Sequence, residues 1–125
     1  MGQDQSEPPI VVVIEDDPIA CEALALTVSD WGGEVVSGQH EDQIVGRVDG
    51  RWEQVAFVIA DFDLGPQDDG VTLGRRLAAR APQARVLVLS GVLGGEAKRA
   101  AASAGFAFMA KPARAVEIIS WLERV

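Results

Sequence analysis

Val55-Ala56-Phe57-Val58-Ile59-Ala60 is an unbroken apolar run of strand length, and it stops at a carboxylate, Asp61. A strand with one wet face alternates apolar and polar residues, so a run without alternation predicts a strand covered on both faces, as in a parallel sheet flanked by helices. Beyond Asp61 the chain turns polar and rich in turn formers (Asp63, Gly65, Pro66, Gln67, Asp68, Asp69, Gly70). Asp61 is therefore expected at the carboxyl end of the strand. In open α/β sheets that edge is where ligands and chemistry gather.

The rest of the chain repeats the theme. Ile10-Val11-Val12-Val13-Ile14 is a second buried run, ending in Glu15-Asp16-Asp17-Pro18. Asp17 as N-cap with Pro18 at the first helical position predicts a helix start. That helix carries Ile19, Ala20, Ala23, Leu24, Thr27, Val28 and Trp31 at three-to-four spacing and stops at Gly32-Gly33. A short strand over 34–37 and a weaker helix, Glu41–Val48, around Ile44, Val45 and Val48 and closing near Gly50, precede the Asp61 strand.

After Asp61, a helix over about 71–80 is expected to bury Val71, Leu73 or Gly74, Leu77 and Ala78, and Pro82 blocks its continuation. A strand over 85–89 ends at Ser90-Gly91, and a loop with Gly91, Gly94 and Gly95 leads to an alanine-rich helix, Glu96–Ala104, stopped by Gly105. The last strand, Ala107–Ala110, ends at Lys111-Pro112, and a final helix over about 114–124 is expected to turn Val116, Ile118, Ile119 and Leu122 inward. Strand and helix thus alternate through five repeats, which predicts an α/β fold: a doubly wound five-stranded parallel sheet with right-handed crossovers. Residues 1–9, polar and ending in Pro8-Pro9, read as a disordered tail or linker, leaving 10–125 as the domain.

Composition excludes several function classes. A formal net charge of −8 with no dense Lys/Arg patch argues against a nucleic-acid or anionic-membrane surface. The one cysteine, Cys21, cannot form an internal disulfide and fits a reducing cytoplasm. No apolar run is long enough to span a bilayer, and no set of four Cys/His ligands is present.

Four of the expected strands end in chemistry-bearing residues: Glu15 and Asp16, Asp61, Ser90, and Lys111. A doubly wound sheet brings such ends into one crevice. Like charges about 4 Å apart repel by about 4 kcal/mol at an effective dielectric near 20, so three carboxylates there require cations. Lys111 supplies one charge. A hard divalent ion with oxygen ligands supplies the rest, and Mg²⁺, which keeps waters and uses one or two carboxylates beside phosphate oxygens, fits best.

The set Glu15-Asp16, Asp61, Ser90 and Lys111-Pro112 resembles the receiver (response-regulator) domain of bacterial two-component signalling, over essentially residues 10–125. The resemblance implies a flavodoxin-like strand order 2-1-3-4-5, the order the chemotaxis receivers exemplify. It implies that Asp61 accepts a phosphoryl group from a phosphohistidine on a histidine kinase or histidine phosphotransfer protein. Asp16 would bind Mg²⁺ directly, together with Asp61, and Glu15 mostly through water. The backbone carbonyl of Asp63 would complete the protein ligands. Lys111 would hold a phosphoryl oxygen and Ser90 another once Asp61 is modified. Phe108 stands where the family carries its switch aromatic, with Phe106 the neighbouring candidate, and Lys111-Pro112 would be joined by a cis bond. The face formed by the fourth helix, last strand and fifth helix would change on phosphorylation, to be read by an output partner.

Such a domain is a phosphoacceptor with intrinsic phosphotransfer and autodephosphorylation chemistry rather than a turnover enzyme. It is either stand-alone or part of a longer hybrid kinase. The loop after Asp61 is about one residue longer than the family's common form, and Ser90 stands where threonine is commoner, both of which bear on switching amplitude and phosphoryl lifetime.

Plainer roles also account for single residues. Asp17 is an acid at a helix N-terminus, and Asp63, Asp68 and Asp69 read as solvated loop charges, with Asp69 capping the third helix. Trp31, Trp52, Trp121 and Cys21 read as packing residues, and Lys98 and Arg99 as surface charge. His40 is isolated in a polar run, so the phosphodonor must be another molecule. Two other readings of the fold remain: a phosphorylation-independent pseudo-receiver acting as an interaction module, and a flavodoxin-like nucleotide binder. The acidic, glycine-free turn after the first strand argues against the second.

Overall fold

The computed structural model describes residues 7–64, 69–91 and 95–124. The expected features at Gly65, Pro66, Gln67, Asp68 and Gly94, and most of the tail, lie outside the described residues. Strands β1 (Ile10–Ile14), β2 (Glu34–Gly38), β3 (Val55–Asp61), β4 (Arg85–Ser90) and β5 (Ala107–Ala110) alternate with helices α1 (Pro18–Trp31), α2 (Glu41–Val48), α3 (Gly70–Arg80), α4 (Glu96–Ala104) and α5 (Ala115–Glu123). A short 3-10 turn at Trp52–Gln54, which the sequence patterning does not announce, leads into β3. All strand pairs are parallel, in the order β2-β1-β3-β4-β5.

The apolar runs have a direct structural cause. Successive strand side chains point to opposite faces, and here both faces are covered. Ile10, Val12, Ile14, Val58, Ala60, Val86 and Val88 join Ile44, Val48, Val71, Leu73, Leu77 and Ala101 of α2, α3 and α4. Val11, Val13, Phe57, Ile59, Leu87 and Leu89 join Val28, Ile118, Trp121 and Leu122 of α1 and α5. On that second face Phe57 meets Trp31 and Trp121 edge-on, at centroid distances of 5.9 and 5.3 Å. Arg85 closes the stack: its guanidinium lies over the Trp121 ring at 4.9 Å and donates to the carbonyls of Trp121 and Arg124 at the end of α5.

Helix ends follow their local chemistry. Asp17 Oδ1 accepts from the Ile19 amide at 3.1 Å, and Asp69 Oδ1 from the Thr72 amide at 2.8 Å, each covering a donor that the helix leaves unpaired. Gly32 and Gly105 end α1 and α4 in the left-handed region. At α2 that conformation falls on Asp49, one residue before Gly50.

Two expectations about helix faces are corrected. Ile19 is 79% exposed and Ala23 is exposed as well. Cys21, Leu24, Val28 and Trp31 are the α1 residues that pack on the sheet. At 100° per residue, Ile19 lies half a turn out of phase with Val28. Val116, expected inward, is 64% exposed, because Ile118, Trp121 and Leu122 set the buried stripe of α5. Ala78 and Ile119 are half-buried.

Gly70 has a role that the patterning of α3 conceals. A Cβ there would lie 2.4 Å from the Asp61 carbonyl oxygen and 2.8 Å from its carbon. The start of α3 thus presses against the backbone of the residue on which the sheet edge is centred, and the Gly70 amide donates to Phe62 O at 3.2 Å. Gly70→Ala is expected to destabilise the fold by about 1–3 kcal/mol, the usual cost of forcing a packed backbone apart. Gly46→Ala, in the exposed interior of α2 with open space at the Cβ position, is expected to stabilise by about 0.5–1 kcal/mol. Urea unfolding of the two variants beside the wild type checks both signs.

Candidate functional site

β1 and β3 are adjacent in the sheet, with Ile14 opposite Ala60. Their next residues, Glu15 and Asp61, consequently leave the sheet side by side. Both are 3% exposed and Ser90, at the end of neighbouring β4, is 1% exposed; these are the three buried polar or charged residues among the described residues. Asp16, the next residue after Glu15, is exposed. One carboxylate oxygen from each of Glu15, Asp16 and Asp61 lies within 4.8 Å of the other two.

Lys111 bridges this group from the far side of the sheet. Its backbone amide donates to Ser90 O at 2.9 Å, continuing the β4–β5 ladder, and the Lys111-Pro112 bond is cis. The ammonium lies 3.0 Å from Glu15 Oε1 and 3.1 Å from Asp61 Oδ2. Asp61 Oδ1 accepts from the Asp63 amide at 3.0 Å. Glu15 Oε2 accepts from the Asp17 amide at 3.3 Å. The two buried carboxylates are thus held by one shared cation and by backbone donors.

Electrostatics follow from that crowding. Burial, then the hydrogen bond and negative charge of Asp61, push Glu15 up from 4.5 to about 7, against the opposing contact with Lys111. Burial pulls Lys111 down, but its contacts with Glu15 and Asp61 prevail and hold it above the ordinary lysine value. An all-oxygen donor set with this much unneutralised charge suits a hard divalent cation. Glu15, Asp16 and Asp61 are the residues that could hold one.

The structure brings together the residues that the sequence placed at strand ends. One detail differs from expectation. Asp63 reads in sequence as a solvated loop charge, but its Oδ2 accepts from Ser90 Oγ at 3.2 Å. The switch candidates Phe108 and Phe106 are both half-buried on the α2/α3/α4 side of the sheet. Beside the carboxylates, a cleft of about 400 Å³ runs between α1 and α5, lined by Ala20, Leu24 and Thr27 opposite Ala113, Ala115 and Ile118, with Glu15 and Lys111 at its polar end. No described helix is long and apolar enough to cross a membrane.

Comparison with known proteins agrees with this geometry. The family model for the response regulator receiver domain matches residues 11–123. A response regulator from Burkholderia pseudomallei, solved with a phosphorylated aspartic acid, a calcium ion and citrate, superposes with a TM-score of 0.78 at 28% identity. That match covers 92% of this chain and 66% of the other, so this chain spans just under two thirds of its length. A response regulator from Thermotoga maritima shares the fold, with a TM-score of 0.77 at 21% identity over 94% of this chain and 96% of the other. No curated protein sequence gives a match.

The raised Glu15 has a measurable consequence. The folded state holds a proton on Glu15 that the unfolded chain releases near pH 4.5, whereas the folded state releases it only near 7. The unfolded state binds fewer protons between those values, so stability falls as pH rises. The contribution is complete below about 4.5 and is lost as pH passes about 7. In chelator, raising the pH from about 5 to about 8 is expected to lower the urea midpoint of wild type by more than that of Glu15→Gln. Carboxyl NMR should place the Glu15 midpoint lower in Asp61→Asn.

Proposed function

The chain belongs to the response regulator receiver domain family, and we propose that it is the phosphoacceptor of a two-component phosphorelay, with Asp61 as nucleophile. The observation that carries this reading is a buried aspartate at the end of a central strand, with an ammonium on one oxygen and a backbone amide on the other. An oxygen of Asp61 attacks the phosphorus of a phosphohistidine on a partner kinase or histidine phosphotransfer protein. The P–N bond to that histidine breaks as the P–O bond to Asp61 forms, giving an acyl phosphate that water later hydrolyses.

Asp16, Asp61 and the Asp63 carbonyl would hold Mg²⁺, with Glu15 acting mostly through water. Bound there, the ion supplies charge neutralisation for the transferring phosphoryl group. Lys111 moves its contact from the carboxylates to a phosphoryl oxygen, and the Ser90 hydroxyl turns to another. The movement of Ser90 draws Phe108 inward and alters the α4-β5-α5 face that an output partner reads. Residues 10–125 form the receiver unit, stand-alone or within a longer cytoplasmic regulator or hybrid kinase.

The donor protein approaches along the α1/α5 cleft, which reaches the carboxylates at its polar end. Ile19 and Val116, the exposed apolar side chains next in sequence to the lining residues Ala20 and Ala115, offer a contact for a helical partner.

Two measurements test this reading. Acetyl phosphate with Mg²⁺ should label wild type and leave Asp61→Asn unlabelled; labelling that survives the substitution would move the chemistry elsewhere, and no Mg²⁺ binding at all would favour a pseudo-receiver. Ile19→Glu should slow transfer from a phosphohistidine protein by about tenfold, the loss of one buried apolar contact, while acetyl phosphate still labels it. Equal slowing with both donors would place the effect in the site instead of the docking surface.

A further inference from the structure

Asp63 touches both the acceptor carboxylate and the hydroxyl expected to respond to it. Its backbone amide donates to Asp61 Oδ1 at 3.0 Å, while its side-chain Oδ2 accepts from Ser90 Oγ at 3.2 Å. One residue therefore links the acceptor carboxylate on β3 to the hydroxyl on β4. The two ends of the second bond differ in environment: Ser90 is 1% exposed at the end of a packed strand, and Asp63 is exposed. Of the two, Asp63 has room to move into water.

We propose that the Asp63 carboxylate is a positioning residue that holds the Ser90 hydroxyl in the unmodified protein and competes with the phosphoryl group for it. The inference rests on the phosphoacceptor reading of Asp61. A serine hydroxyl has one proton to donate. A carboxylate acceptor makes a charge-assisted bond stronger than a neutral acceptor would, so the resting contact opposes activation. Phosphorylation of Asp61 places a second strong anionic acceptor beside the first. Repulsion between the two anions pushes the exposed Asp63 side chain outward, and the Ser90 hydroxyl, released from it, turns to the phosphoryl oxygen. Asp63 thereby raises the threshold for switching without touching the phosphorus, and the device needs both its charge and its hydrogen bond to Ser90.

Beryllofluoride, a non-covalent mimic of the phosphoryl group, reads this threshold as an affinity. Binding is followed by fluorine NMR at saturating Mg²⁺, in wild type, Asp63→Ala, Asp63→Asn, Ser90→Ala and the Asp63→Ala/Ser90→Ala pair. Asp63→Ala should tighten binding by about three- to tenfold, the scale of one partly exposed charge-assisted hydrogen bond. Asp63→Asn, which keeps an acceptor oxygen and loses the charge, should tighten it less. In the Ser90→Ala background, Asp63→Ala should have at most about a twofold effect, since the bond it breaks is already gone. Equal tightening in both backgrounds would reduce Asp63 to a repelling charge and overturn the inference alone. Unchanged or weaker binding in Asp63→Ala would also overturn it. Failure of wild type to bind beryllofluoride would overturn the phosphoacceptor reading and this inference with it.

Discussion

A single ammonium group, Lys111 Nζ, about equidistant from a Glu15 oxygen and an Asp61 oxygen, holds the sheet edge together. Parallel pairing of β1 with β3 leaves the residues after Ile14 and Ala60 no choice but to emerge as neighbours. Two carboxylates so placed, with Asp16 beside them, repel strongly in a site sheltered from water. The lysine answers part of that repulsion, while burial, with the hydrogen bond and charge of Asp61 added to it, pushes Glu15 up to about 7. The remaining negative charge is what suits the site to a divalent cation.

The scaffold serves this edge by being stiff. Every strand residue from Ile10 to Ile14 is buried, and β3 from Phe57 onward is likewise covered on both faces. Cores of interlocked branched side chains resist small displacements, so the carboxylates cannot relax apart. Close approach of α3 at Gly70 braces the Asp61 backbone from the other side.

The architecture was legible because its signals are local. Apolar runs without alternation mark strands buried on both faces, Asp17-Pro18 and Asp69 mark helix starts, and polar residues at the ends of the runs mark the crevice. The site was legible one step further, since parallel topology alone carries Glu15, Asp61, Ser90 and Lys111 to the same edge. What escaped depends on packing between distant elements. The inward stripe of α1 runs through Cys21, Leu24 and Val28, and α1 has apolar residues on both sides, so Ile19 and Ala23 looked equally suited to the core. The same ambiguity hid the outward face of Val116. Gly70 reads as an ordinary turn glycine until the Asp61 carbonyl is seen against it. Asp63 reads as loop charge because its partner Ser90 lies on another strand, and no spacing rule links the two.

The account turns on whether the Asp61 carboxylate itself takes the phosphoryl group. An acyl phosphate is reduced by borohydride to an alcohol, which converts a phosphorylated aspartate into homoserine. Protein treated with Mg²⁺ and acetyl phosphate, then reduced, digested and sequenced by mass spectrometry, should carry homoserine at position 61 and retain aspartate there when the phosphodonor is omitted. Unaltered aspartate at position 61 in protein that has taken up phosphate, with the phosphate found on a hydroxyl or on another carboxylate, would contradict it.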